Sequence, residues 1–373
     1  MLEPGTLTRF GRDFLVVLAI AIGLVAAVEG AVRLAFNERT QTDYKNDVPT
    51  ARKDPVLGHI NNPGTEASIV GPEFTVDYKI TEQGFRNRAV FAPTPEENTT
   101  RVLLLGDSFT FGHGSHYQDI WPTLVVDAFE AEGKKVEIIN AGVPGFSTTQ
   151  EVLYLERLHQ QYDPDIVMFG FLAHDVITNV ALDRADEVLE VSDAAAKSIG
   201  NDKKSSLHAV ALLQRLLMAN DWLYSKLYMM TGRRDYFAAE PSPAFEGKIE
   251  ITKELFRRAD DYCEQQGSEF TVLSMPQLIQ VLSLANGYAF DGVDMNHIDE
   301  TFSAFAHEKT FDWTPTLPEL AADYAERGED LYFRKDGHLN EAGNRLVATI
   351  AHRALSAAIE RLAEGDGDGD AAV

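Results

Sequence analysis

Four short blocks of this 373-residue chain hold side chains that can break a bond, and each sets them beside glycine. The first, Gly106-Asp107-Ser108-Phe109-Thr110-Phe111-Gly112, offers a hydroxyl. A serine becomes a nucleophile when a base can take its proton, and its own backbone N–H faces a developing oxyanion when the serine opens a helix. A helix-capping serine is the plainer reading of the same residue. The second block, Asn140-Ala141-Gly142-Val143-Pro144-Gly145-Phe146-Ser147-Thr148, is a glycine-rich turn in which Gly145 can bring a bare backbone N–H against an anion. Gly170-Phe171-Leu172-Ala173-His174-Asp175 and Asp336-Gly337-His338-Leu339-Asn340-Glu341-Ala342-Gly343 supply imidazoles. His338, just before a helical pattern, suits a base facing Ser108; without the other three blocks it would read as an ordinary surface histidine.

These groups do chemistry only if the fold gathers them. Arg101 to Gly106 is a continuous apolar run ending in Gly-Asp-Ser, the pattern of a strand buried on both faces. Similar runs at Val136 to Ile139, Ile166 to Phe171 and Phe270 to Ser274 are separated by enough chain for helical crossovers. That spacing predicts a parallel sheet with helices on both sides, a three-layer α/β/α sandwich whose strand ends carry the first three blocks. Gly71 to Arg86 alternates instead (Phe74, Val76, Tyr78, Ile80), which predicts an added hairpin or edge strand. Between Arg184 and Lys248 the rhythm stops, and Leu207 to Met230 is apolar at helical spacing. A helical insertion follows, either a lid or a packed flank; Arg215, Asn220, Asp221 and Lys226 argue against a second membrane span.

In this order the four blocks resemble the SGNH/GDSL hydrolase family over about residues 100 to 352, with Gly106 to Gly112 and Asp336 to Gly343 the specific parts. Gly84-Phe85-Arg86 is similar to membrane-anchored members. The resemblance implies the flavodoxin-like SGNH hydrolase fold and a serine hydrolase that cleaves an ester through an acyl-serine intermediate. It gives Ser108 the nucleophile's role and, through its N–H, an oxyanion donor's; Gly145 becomes the second donor. His338 becomes the base and Asp336 the acid that orients it. Two departures stand out. The commonest pattern separates Asp from His by two residues, whereas Gly337 alone intervenes here, a spacing similar to SGNH domains of polysaccharide O-acetyltransferases. The third block commonly carries Asn before Asp as an oxyanion donor, and His174 takes that place; an imidazole N–H donates as an amide does. The implied substrate is an acyl or acetyl ester of a carbohydrate, lipid or small molecule. No metal and no organic cofactor is implied, because N–H donors polarise the carbonyl and His338 activates the nucleophile. Two alternatives stay open: an O-acyltransferase acting on a cell-envelope or exported polysaccharide with the same triad, and an inactive SGNH-like module that binds a glycan or envelope partner.

Composition bounds the rest. At 45% hydrophobic and 24% charged residues the chain is globular with a core. Asp plus Glu outnumber Lys plus Arg by 58 to 33, and residues 1 to 60 hold seven of each, so the net charge of −25 lies on residues 61 to 373 and argues against a nucleic-acid partner. Cys263 is the only cysteine, which excludes an internal disulfide and a Cys-based metal cluster. Phe14 to Val28 lacks polar side chains and the apolar character resumes to Phe36, a 23-residue stretch long enough to span a bilayer. Arg9 and Arg12 before it favour a cytoplasmic amino terminus and an extracytoplasmic catalytic domain, although Arg39, Lys45, Arg52 and Lys53 weaken the asymmetry. A cleaved signal peptide and a buried core helix are the alternatives to a single-pass signal anchor. The expected organisation is a tail (1–13), the anchor (14–36), a linker (37–68), a hydrolase-like domain (69–360) with a β-rich extension (69–95) and a helical insertion (184–248), and an acidic tail (361–373). Glu364 to Asp370 resembles the start of a calcium loop but lacks the remaining ligands, so it reads as solvated.

Overall fold

The structure, a computed structural model, describes residues 4–36, 43–44, 50–184, 207–309 and 311–369. Residues 1–3, most of the expected linker between 37 and 49, residues 185–206 of the insertion, and residues 370–373 of the tail lie outside them. Helix α1 (Pro4–Ala35) contains the apolar segment: Leu15–Ala35 has mean hydropathy 2.6 and is almost wholly exposed.

Two antiparallel sheets precede the main one. Strands β2 (Ala51–Asp54) and β3 (Gly58–Asn61) form a hairpin, and β4 (Glu66–Val70) lies between β1 (Asp43–Tyr44) and β5 (Thr75–Lys79). The alternation in β5 buries Val76 and Tyr78 against Phe111, as a half-buried strand should. The β-rich extension therefore starts near residue 50 rather than 69, and residues 50–68 are not a linker. They are held by Leu57 and Ile60, which enter the core, and by polar bonds: Gln150 Nε2 donates to the Leu57 carbonyl (2.8 Å), and Arg157 pairs with Asp54 (2.8 Å).

The central sheet consists of β6 (Thr100–Gly106), β7 (Val136–Asn140), β8 (Ile166–Leu172), β9 (Glu269–Met275) and β10 (Asp312–Pro315), ordered β10-β9-β8-β6-β7. Every neighbouring pair is parallel. Numbered from the first strand of this sheet, the order is the flavodoxin-like 2-1-3-4-5, whose switch point falls between β6 and β8. Four of the five strands coincide with the apolar runs. β10 escapes pattern reading because Asp312, Trp313, Thr314 and Pro315 form a short, half-buried edge strand.

Helices cover both faces. The first core joins Leu103, Leu105, Val167 and Phe169 to α4 (Thr148–Tyr162), α8 (Pro243–Gln266) and α10 (His297–Lys309). The second joins Val102, Leu104, Ile166 and Met168 to α3 (Trp121–Ala131), α9 (Leu278–Asn286), α11 (Leu317–Arg327) and α12 (Glu341–Gly369). Successive strand residues thus enter opposite cores, which is why these strands are apolar throughout. Two short helices, α2 (Ser108–Phe111) and α5 (Asp175–Thr178), begin just after β6 and β8. In the insertion, α6 (His208–Met218) and α7 (Asp221–Met229) follow the helical periodicity; α7 packs against α9, and α6 against α1 and α7. Helix α12 continues to Gly369, so part of the expected acidic tail is helical.

Candidate active site

Ser108 begins α2 at the carboxyl end of β6, beside the switch point. The turn leaves no room for a side chain at Gly106: a Cβ there would stand 2.0 Å from Thr110 Oγ1 and 3.0 Å from the Gly170 carbonyl. Asp107 caps α2, its carboxylate accepting the Phe109 N–H at 2.8 Å. Ser108 Oγ lies 2.7 Å from His338 Nε2, and His338 Nδ1 lies 2.6 Å from Asp336 Oδ1. Gly337, between the acid and the imidazole, has φ +91°, and this left-handed turn folds the Asp336 carboxylate back onto His338 across a single residue. The short spacing therefore still closes a hydrogen-bonded Ser-His-Asp chain. Burial raises the Asp336 carboxyl, but the hydrogen bond and positive field of His338, with His113, outweigh it and hold the group below its usual range.

Gly145 sits in the turn between β7 and α4, and His174 directly follows β8, so both occupy the rim that carries Ser108. Neither hydrogen-bonds to Ser108 among the described residues. The β7 turn is tied to the turn that carries Ser108 by Val143 N–H on the Gly106 carbonyl (2.9 Å) and by Asn140 Nδ2 on the Thr110 carbonyl (3.0 Å). His174 Nδ1 lies 3.2 Å from Asp175 Oδ1, and the donor atoms of Asp107, His174 and Asp175 all fall within 4.8 Å of one another. Desolvation lowers the His174 pKa, but Asp175 and then Asp107 more than reverse this and raise it to about 9. The imidazole is therefore cationic at neutral pH. Beneath it, Glu151 is wholly buried, and neither of its carboxylate oxygens has a hydrogen-bond partner. Burial, with Asp175 and Asp107, pushes its pKa well up, so Glu151 stays protonated.

Several residues support this arrangement without lying in any of the four blocks' expected roles. Glu73, in the turn between β4 and β5, accepts the N–H groups of Lys335 (2.8 Å) and Asp336 (3.0 Å). Tyr78 on β5 places its hydroxyl 3.1 Å from His113 Nδ1 and accepts the Gly114 N–H at 2.8 Å. The His113 ring packs 4.6 Å from that of His338, and burial followed by the His338 charge drives its pKa down to about 3, leaving it neutral. Arg86 is fully buried and donates to the carbonyls of Phe111 (2.8 Å), Gly112 (2.5 Å) and Ser115 (2.6 Å), closing the carboxyl end of α2. On the other side of the rim His59 Nε2 meets the Pro144 carbonyl (2.8 Å), while Asn61 Nδ2 donates to Gly142 (2.9 Å) and Gly84 (3.2 Å). Arg86 stood out within Gly84-Phe85-Arg86, and His113 adjoins the first block; Glu73, His59 and Asn61 carry no local signal.

Among the described residues, two groups bring three metal-capable side chains together, His113 with Asp336 and His338, and Asp107 with His174 and Asp175. Each contains a histidine and an aspartate already paired with one another.

Comparison with known proteins follows the same outline. Residues 104–346 match the profile of the GDSL-like Lipase/Acylhydrolase family. An arylesterase of Vibrio mimicus is 33% identical over 75 residues, which is 20% of this chain and 38% of that relative's length. Among solved structures, the acetyl xylan esterase AlAXEase is 14% identical with TM-score 0.42, covering 68% of this chain and 98% of that one. The psychrotrophic esterase EstA from Pseudoalteromonas sp. is 13% identical with TM-score 0.39, covering 71% of this chain and 99% of that one.

Proposed function

The chain belongs to the GDSL-like lipase/acylhydrolase family, and we propose that it is an esterase that hydrolyses its ester through an acyl-serine formed on Ser108. Ser108 Oγ attacks the ester carbonyl carbon while His338 Nε2 takes its proton; the imidazolium then gives that proton to the departing alcohol. Water attacks the acyl-serine, His338 accepts a proton from it, and the acid leaves as the serine regains its hydrogen. Asp336 fixes the His338 tautomer and steadies the transient charge. The N–H groups of Ser108 and Gly145 and the His174 imidazole receive the oxyanion. One observation carries this reading: the unbroken hydrogen-bonded run from Ser108 through His338 to Asp336, at 2.7 and 2.6 Å.

The same reading includes a membrane anchor. Leu15–Ala35 is 21 residues long, apolar and packed against almost nothing, which suits a single-pass helix with the catalytic domain outside the cytoplasm.

A serine-directed fluorophosphonate tests the mechanism. Wild type should be labelled, and Ser108→Ala should lose both labelling and hydrolysis of short aryl esters. Ser108→Ala and His338→Ala should each cost several orders of magnitude, and the double variant little more, because the two side chains act as a unit. Undiminished hydrolysis by Ser108→Ala overturns the assignment.

A further inference from the structure

Beyond α1 and the Phe36 that follows it, the large apolar side chains that the described residues expose are Val56, Val90 and Leu284, each alone in the sequence, and one group within residues 207–230. That group begins at Leu207 and runs along α6 through Val210, Leu213 and Leu216, at intervals of three residues. It continues on α7 with Trp222 and Leu227, and on Met230 just beyond, which is 76% exposed. Hydrophobic surface of this extent, rimmed by polar residues, marks an interaction site.

Three observations identify what it meets. First, α6 is tied to the apolar helix. The two carboxylate oxygens of Glu29 accept the N–H groups of His208 (3.0 Å) and Ala209 (2.9 Å), capping the first turn of α6, and Glu29 also holds Arg33 at 2.6 Å. Glu29 stands six residues before Ala35, or about 9 Å along a helix rising 1.5 Å per residue. The start of α6 is therefore level with the last turns of the span, where headgroups meet acyl chains. Second, the charge of this segment opposes that of the chain. Residues 207–235 carry Arg215, Lys226, Arg233 and Arg234 against Asp221 and Asp235, in a protein of net charge −25. Third, an exposed tryptophan with aliphatic side chains and basic residues is the composition of a helix lying in a membrane interface.

We propose that α6 and α7 lie on the bilayer that α1 enters, with their exposed apolar side chains seated among the acyl chains and their basic residues on anionic phospholipid headgroups. The proposal rests on α1 being a membrane span. It also orients the enzyme. Asp221, the first residue of α7, pairs with Arg334 (2.8 Å) and accepts the Tyr324 hydroxyl (2.8 Å), so the loop leading to Asp336 and His338 is braced against the element that touches lipid. The active site then stands beside the membrane surface.

Site-directed spin labels measure this in the full chain, reconstituted into nanodiscs of phosphatidylcholine and phosphatidylglycerol. The native Cys263 is buried, so single labels at Leu213→Cys, Leu216→Cys and Met230→Cys report alone. Leu24→Cys in α1 is the lipid reference and Glu250→Cys, an exposed side chain on α8, the aqueous one. The ratio of collision rates with oxygen and with a water-soluble nickel chelate should be several-fold higher at residues 213, 216 and 230 than at 250. Hydrolysis of a soluble short ester verifies that each labelled protein is folded. Water-like ratios at the three sites with a lipid-like ratio at residue 24 overturn the proposal and leave the anchor standing. Water-like ratios at all four overturn both.

Discussion

His174 carries a charge that an asparagine in the same place would not. Asp175 and then Asp107 stabilise its imidazolium against the cost of burial. The His174 pKa is raised to about 9, so the cation is present below that pH and lost above it. As an oxyanion donor it should therefore make kcat fall as pH rises through about 9. His174→Asn should remove that limb while keeping most of the neutral-pH rate, since an amide donates without titrating. His174→Ala should lower kcat on the order of a hundredfold with little change in KM, the signature of a contact made in the transition state. An unchanged kcat in a folded His174→Ala variant takes the residue out of the site. The same shift acts on stability. A folded-state pKa above the unfolded value stabilises the protein fully below pH 6.5, and the contribution fades as pH rises through about 9.

At the scale of elements, the hairpin β2–β3 and the strands after it act as scaffolding for loops that belong to the hydrolase sheet. Asn61 is the clearest case, a buried amide bonded to two carbonyls, one of them in the β7 turn beside Gly145. Asn61→Ala leaves both carbonyls without that donor, so it should cost about 1–3 kcal/mol of stability. It should also lower kcat more than KM, because the displaced turn carries a proposed oxyanion donor. Thermal unfolding and steady-state kinetics on this one variant check both; wild-type kcat in the folded protein separates the hairpin from catalysis. This element also marks where sequence reading stops. Four sheet strands were legible because burial on both faces makes them continuous apolar runs, and Ser108, His338 and Asp336 because they sit in compact motifs. Residues 50–68 look like a linker because only isolated apolar side chains, Leu57 and Ile60, enter the core, and polar bonds to residues 80–100 positions away do the rest; local composition carries no trace of such partners. Glu73 is invisible for the same reason, accepting backbone N–H groups more than 260 residues later in the chain.

For the whole molecule, the proposed orientation places everything after α1 on the far side of the membrane. A reporter joined after Val373 should behave as extracytoplasmic. The intact chain should resist carbonate extraction, and removal of residues 1–40 should release it. Extraction of the intact chain by carbonate rejects the anchor. The order of the parts along the chain adds a constraint in time. Ser108 and His338 are separated by 230 residues. At a synthesis rate of roughly 5–20 residues per second, Ser108 is made about ten to fifty seconds before His338. Throughout that interval the nascent chain holds the proposed nucleophile without its proposed base. On the proposed mechanism, hydrolysis therefore begins only when the last helix is being made, and a chain interrupted before His338 lacks the base.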